Sequence, residues 1–152
     1  GANIVAIDAI GRAVGRHDTI EAWQAAMAER IAEADAATPV FRERLASVVS
    51  RAAALAARVA KSAEAEEALS RQATSALYHA TSAVSMAWEA SRLAASRGDA
   101  RRLLWSRLVL DHRLATRDPL APEGPAFEGA VAPHLLLGEP IPLARVRELI
   151  DA

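Results

Sequence analysis

Apolar positions recur along most of this chain at steps of three and four residues, the signature of amphipathic helices. The longest uninterrupted run covers residues 62–97. Within it Ala73, Ala76, Ala80, Ala83, Ala87 and Ala94 form a stripe of small residues beside Leu69, Leu77, Val84, Trp88 and Leu93. A helix of roughly 35 residues is about 50 Å long, so this pattern predicts a spine with neighbours on more than one side.

The other elements are read against that spine. Residues 3–14 place Ile4, Ile7 and Val14 on one face after a plausible Asn3 N-cap, and Gly15 is a credible stop. A second helix opens with Asp18 and Glu21 in capping-box spacing, carries Ile20, Trp23, Met27 and Ile31, and is expected to end near Ala36 or Ala37. Thr38-Pro39 starts a third, with Thr as cap and Pro in the first turn. Its apolar residues Phe41, Leu45, Val48, Ala52, Leu55 and Val59 form a heptad seam that predicts packing against the spine. Residues 61–64 form the turn between the two, with Ser62 as N-cap and Glu64, Glu66 and Glu67 complementing the new helix dipole.

Gly98-Asp99 ends the spine and starts a fourth long helix over residues 100–116. Leucines on more than one of its faces predict burial on two sides or an oligomer contact. From Asp118-Pro119 onward Pro and Gly are frequent, so residues 118–142 read as an irregular arm, with Leu135, Leu136 and Leu137 too apolar for simple disorder. Pro142 then starts a short terminal helix, 143–150, that docks through Leu143, Val146, Leu149 and Ile150. The expectation is all-α: an up-and-down bundle of four main helices plus a short N-terminal helix and a Pro/Gly-rich C-terminal arm ending in a short helix. Residues 1–117 form the bundle and 118–152 the arm, as a single domain overall.

Composition narrows the function classes. The chain has 152 residues, 52% of them hydrophobic and only 4% aromatic, which favours close helix packing around Ala, Leu, Val and Ile. It has no cysteine, so disulfide and thiolate chemistry are excluded. No apolar run approaches the roughly 20 residues needed to cross a bilayer, and the first residues lack a signal-peptide layout. A soluble, cytoplasmic protein with no membrane partner is expected. A net charge of −1 argues against a general polyanion binder.

Motifs for catalysis are missing. Paired Glu-x-x-His would mark a di-iron bundle, yet Val14, Ala76, Val109 and Val131 stand three residues before His17, His79, His112 and His134. No HExxH, phosphate-cradling Gly-rich loop or Gly-x-Ser-x-Gly elbow occurs. His79 reads as an interior polar group with a hydrogen-bond partner, and His112 as part of a solvated face. No catalytic and no metal-ligating residue is assigned. The charged feature is basic: Arg92, Arg97, Arg101, Arg102, Arg107, Arg113 and Arg117 face only Asp99 and Asp111 over the same stretch. Guanidinium forks suit phosphate oxygens, although arginines also simply solvate the outside of a Leu-rich helix or pair with acids of the second helix and the spine.

The opening run Gly1-Ala2-Asn3-Ile4-Val5-Ala6-Ile7-Asp8-Ala9-Ile10 resembles the segment that follows the catalytic glutamate in flavin-dependent acyl-CoA dehydrogenases. It is most similar to the branch related to the bacterial adaptive-response protein AidB. Ala76-Leu77-Tyr78-His79-Ala80, Trp88-Glu89-Ala90, Gly98-Asp99-Ala100-Arg101-Arg102 and Arg117-Asp118-Pro119-Leu120 also look like the C-terminal helical region of such proteins. The resemblance implies a fragment: the non-catalytic C-terminal helical domain of an FAD-dependent oxidoreductase. In that family a carboxylate takes the α-proton of an acyl thioester while the β-hydride passes to the flavin.

The glutamate would lie at or before Gly1, so the active site is incomplete in this chain. FAD is implied for the parent protein and no cofactor for the isolated chain, with Asn3 the one residue pointing to the adenine end of FAD. The implied partners are the rest of the parent dehydrogenase and sister subunits of a homo-oligomer. Two alternatives stay open: a DNA-binding module of an alkylation-response protein, using Arg97, Arg101 and Arg102, and a stand-alone helical interaction or oligomerisation domain.

Overall fold

The computed structural model describes residues 5–6, 8–14, 19–61, 67–116, 118, 120 and 126–151. Among these the regular secondary structure is all helical, with no strand, and the main helices pack as a bundle. The elements are α1 (Ala9–Val14), with π-helical geometry, α2 (Thr19–Ala32), α3 (Pro39–Lys61), α4 (Glu67–Arg97), α5 (Arg101–Val109), α6 (Ala126–Leu136) and α7 (Leu143–Ile150). A π-helical turn, Leu110–Leu114, prolongs α5. No described helix is long and apolar enough to cross a membrane.

At 31 residues, α4 is the spine, about 46 Å long at 1.5 Å per residue. Ala73, Ala80, Ala83, Ala87 and Ala90 on it are fully buried, together with Val84. A stripe without bulk lets neighbouring helices approach closely, and α2, α3 and α5 all pack against it. Trp23 on α2 donates through Nε1 to Thr81 Oγ1 of α4 at 2.9 Å, and Ser106 on α5, fully buried, donates to the Ala83 carbonyl at 2.7 Å. Both polar groups enter the helix contacts already satisfied.

The third helix begins as its sequence predicts. Thr38 Oγ1 accepts from the Phe41 N–H at 3.1 Å, directly before Pro39. Its seam is shifted, however. The buried residues are Phe41, Leu45, Val49, Ala52, Ala53, Ala56 and Val59, while Val48 and Leu55 are only half-buried. With alanine stripes on both helices, the closest approach rotates toward the small residues Ala53 and Ala56, and the larger Val48 and Leu55 move to its edge.

Helix α2 stops at Ala32, earlier than its periodicity suggests. The turn after it is held from outside: Ser91 accepts from the Ala36 N–H at 3.0 Å, and Arg147 of α7 donates to the Asp35 carbonyl at 3.0 Å. Ala34, Ala36 and Ala37 are buried beneath, so tertiary contacts replace the last helical turn.

The α4–α5 joint uses a left-handed residue. Gly98 has φ 66°, and its N–H bonds the Ala94 carbonyl at 3.1 Å, an αL-type close. Asp99 then accepts from the Arg101 and Ile141 N–H groups at 3.1 and 3.2 Å. Leu103, Leu104 and Leu110 of this arm are buried within the chain, against α4 on one side and the C-terminal helices on the other. Leu103, Leu104 and Leu110 thus take the first of the two expected alternatives, burial on two sides.

The segment expected to be an irregular arm contains α6, despite Gly129 and Pro133 inside it. Tertiary contacts outweigh the local cost. Val131 is buried, Phe127 lies under the Arg107 guanidinium at 3.7 Å, and His112 contacts Glu128 at 2.9 Å. The carbonyl that Pro133 leaves without its helical donor belongs to the exposed Gly129, where water can serve it. Helix α7 forms as expected after Pro142, with Val146, Leu149 and Ile150 buried.

Ile10, Ile20, Ala53, Ala56, Val59 and Ala73 form a smaller apolar cluster where α1 meets the far ends of α3 and α4. The expected caps and stops at Asn3, Gly15, Asp18 and Ser62, and the acids Glu64 and Glu66, lie outside the described residues.

Candidate anion-binding groove

A groove of about 820 Å³ opens between α3, α4 and the π-helical end of α5. Its origin is a mismatch in helix length. The α5 arm runs back along α4 for only 9 residues plus the 5 of the π-helical turn, about 21 Å at 1.5 Å per residue. It ends at Leu114, beside His79, and among the described residues the first turns of α4 with the facing part of α3 are not covered on that side.

Val48, Ala52 and Leu55 of α3, Ala76 of α4 and Leu114 give the groove an apolar wall. The displaced seam positions Val48 and Leu55 therefore acquire a place. Arg51 and Arg58 sit seven residues apart on the same side of α3, and Arg71, Ser75 and His79 follow at four-residue steps on α4. Arg113 closes the end by Leu114. Four guanidinium groups thus border one concavity, and no carboxylate stands among its described lining residues.

The arginines of the chain fall into two groups. Arg44 pairs with Asp111 at 2.7 Å, Arg92 with Glu33 at 3.0 Å, and Arg102 with Glu89 at 3.3 Å. Arg107 is tied to Asp111 and to carbonyls of α7. By contrast Arg51, Arg71 and Arg113 have no hydrogen-bond or ion-pair partner among the described residues.

His79 is half-buried in the groove wall, with its ring edge-on to Tyr78 at 5.0 Å. Its pKa is lowered, first by burial and then by the positive charge of Arg113. The expected interior hydrogen bond is not seen among the described residues; the imidazole faces the groove instead. Near neutral pH it is an uncharged ring that can donate or accept.

The three arginines expected to meet DNA do not act together. Arg101 is held by Asp99 at 2.8 Å and donates to the Gly138 carbonyl at 2.9 Å and to that of Glu139. It is a strut between the α4–α5 joint and the segment before α7. Arg102 is exposed and paired with Glu89, and Arg97 is exposed. Asn3, expected near FAD, lies outside the described residues.

The groove arginines Arg51, Arg58 and Arg71 were not singled out by the sequence, where the basic count began at Arg92. A local signal exists in the i, i+4, i+7 run Arg51-Leu55-Arg58, which mixes charge into a seam. No described group of His, Asp or Glu is arranged to hold a metal. Among its described lining residues the groove has no Phe, Tyr or Trp. No protein-family model, curated protein or solved structure matches the chain.

Proposed function

We propose that the chain is the C-terminal helical domain of an FAD-dependent acyl-CoA dehydrogenase-like protein of the AidB-related branch, non-catalytic in itself and serving subunit packing. The opening run Gly1 to Ile10 carries this reading. The helical bundle is compatible with it, and the stretch Gly98-Asp99-Ala100-Arg101-Arg102 contributes a left-handed glycine, a strut arginine and an aspartate to the α4–α5 joint. Asp99 accepts from the Arg101 N–H one residue before the N-cap, Ala100, rather than as the expected N-cap itself. Val40, Trp105, Leu136 and Leu137 are large apolar side chains left exposed, surface that a neighbouring domain or sister subunit would cover. The catalytic base would belong to the rest of such a parent, and this domain would help complete its FAD site through Asn3.

The test is the natural reading frame upstream of Gly1. An aromatic-Glu-Gly run there, after several hundred preceding residues, supports the proposal; a start methionine at that point overturns it.

A second reading, a DNA-binding module, is favoured by the exposed Arg51, Arg71, Arg97 and Arg113, for which no partner is seen among the described residues. With Arg101 committed to the fold, its contacts would be Arg97 and the groove arginines. Binding to duplex DNA should then fall steeply with salt, and no detectable binding at ~50 mM salt would sink it.

A further inference from the structure

We propose that the groove bordered by Arg51, Arg71 and Arg113 is a binding site for a small organic anion carrying two or more phosphate groups. The proposal is independent of the dehydrogenase reading.

The charge distribution is the first ground. The chain carries a net charge of −1, enough acids to neutralise its arginines, and elsewhere it uses them: Arg44, Arg92 and Arg102 each contact a carboxylate. In the groove, cations from three separate elements border one concavity, and its described lining offers no acid. Such like charges repel one another across the groove. An anion from outside would relieve that repulsion.

The shape and the donor type select the ligand. Guanidinium forks bind phosphate oxygens in pairs. Arg51 lies on α3, Arg71 near the start of α4, and Arg113 at the end of the α5 arm. A single small monoanion cannot satisfy groups on three elements at once, whereas a chain of two or more phosphates can. The volume of about 820 Å³ falls within the range of roughly 300–1,000 Å³ of small-molecule sites. Val48, Ala52, Leu55, Ala76 and Leu114 would pack against the organic part, while Gln72 and Ser75 offer neutral hydrogen bonds. A duplex presents its phosphates along a convex rod and is best met by charges strung along a ridge; here they surround a hollow. His79, its pKa lowered by burial and by Arg113, adds a neutral ring to the wall rather than a further charge.

Calorimetric titration of the full chain with ADP, with inorganic pyrophosphate and with a short DNA duplex tests this at ~50 mM salt, where phosphate contacts are strong. Saturable binding of ADP is expected, with pyrophosphate weaker because it leaves the apolar wall empty. Arg71→Gln and Arg113→Gln should each weaken ADP binding by about tenfold or more, and Arg97→Gln should leave it unchanged. Arg51→Gln, on the exposed side of α3, is a further groove variant should either of the others fail to fold, and thermal melts followed by circular dichroism establish that each is folded. No ADP binding at millimolar concentration overturns the proposal, as does binding indifferent to the groove substitutions. Duplex binding that depends on the groove arginines and is not displaced by ADP would also overturn it, in favour of nucleic acid.

Discussion

Arg107 donates to the main-chain carbonyl of Ile150 at 2.6 Å, and to that of Leu149 at 3.0 Å, so one side chain of α5 serves the open C-terminal end of α7. The same guanidinium contacts Asp111 at 3.2 Å and covers the Phe127 ring of α6 at 3.7 Å. Three helices that are separate in sequence are thereby locked at one partly buried point. Arg107→Met keeps much of the stem but leaves the two carbonyls without this donor and Asp111 with only its Arg44 partner. A loss of about 2–3 kcal/mol is expected, in the range for hydrogen bonds to charged groups. Urea unfolding measures it, and Arg107→Lys should recover only part because an ammonium lacks the fork. If α7 is held chiefly by this residue, limited proteolysis of Arg107→Met should cut first in the segment before it.

Gly98 stands at φ 66° between α4 and α5, with no atom within 4 Å of an added Cβ. A substitution there meets no clash, only the backbone penalty of a side chain in the left-handed region. Gly98→Ala should therefore cost about 1–2 kcal/mol, and Gly98→Asn less, since Asn tolerates this conformation. Thermal unfolding of the pair separates the two causes: equal losses would mean that space, not φ, is limiting.

These elements show which parts of the fold the sequence announces. Pro39, Gly98 and Pro142 mark helix ends by local chemistry alone, and the structure places ends beside them. The α3 seam was legible at four of its six positions, Phe41, Leu45, Ala52 and Val59, and not at Val48 and Leu55. Its steps of three and four predicted contact with α4, yet the choice between Val48 and Val49, or between Leu55 and Ala56, depends on which partner surface is small enough to approach. Helix α6 was hidden because Gly129 and Pro133 argue against it locally, while Arg107, His112 and the core argue for it from elsewhere in the chain. The groove was hidden for a related reason. Arg51, Arg71 and Arg113 each look like an ordinary solvated arginine in its own helix, and only the early end of the α5 arm brings them around one space.

Asp99 links acid sensitivity to the α4–α5 joint. Burial alone would raise its pKa, but the N–H groups of Arg101 and Ile141 and the Arg101 guanidinium outweigh burial, leaving the pKa lowered. A carboxyl with a folded pKa below its unfolded value, about 3.9, contributes stability that is fully present well above that value. The contribution disappears as pH falls through the folded pKa. Asp99→Asn should accordingly be less stable than the parent at pH 7, with the gap narrowing from about pH 4 downward. Denaturant unfolding of both proteins across this range checks the sign: a gap that is constant with pH would show that the aspartate charge contributes nothing.

His79 reports on the groove without any ligand being known. Burial is the larger cause of its lowered pKa and the Arg113 charge the smaller. For a histidine held below its unfolded value of about 6.5, the folded state resists protonation, so stability is lost as pH falls below that value. Arg113→Gln removes only the electrostatic part. The imidazole should then titrate at a higher pH than in the parent, yet still below an exposed histidine because burial persists. Tyr78, edge-on to the ring, is unaffected by that change and serves to show that the local packing is intact. Two-dimensional NMR of the imidazole resonances against pH measures both proteins directly. Pyrophosphate added to the parent should move the His79 titration upward as well, because an anion beside Arg113 cancels the same positive charge. An unmoved titration in Arg113→Gln would mean that Arg113 exerts no field on the groove wall and would remove it from the set of groups that hold an anion there.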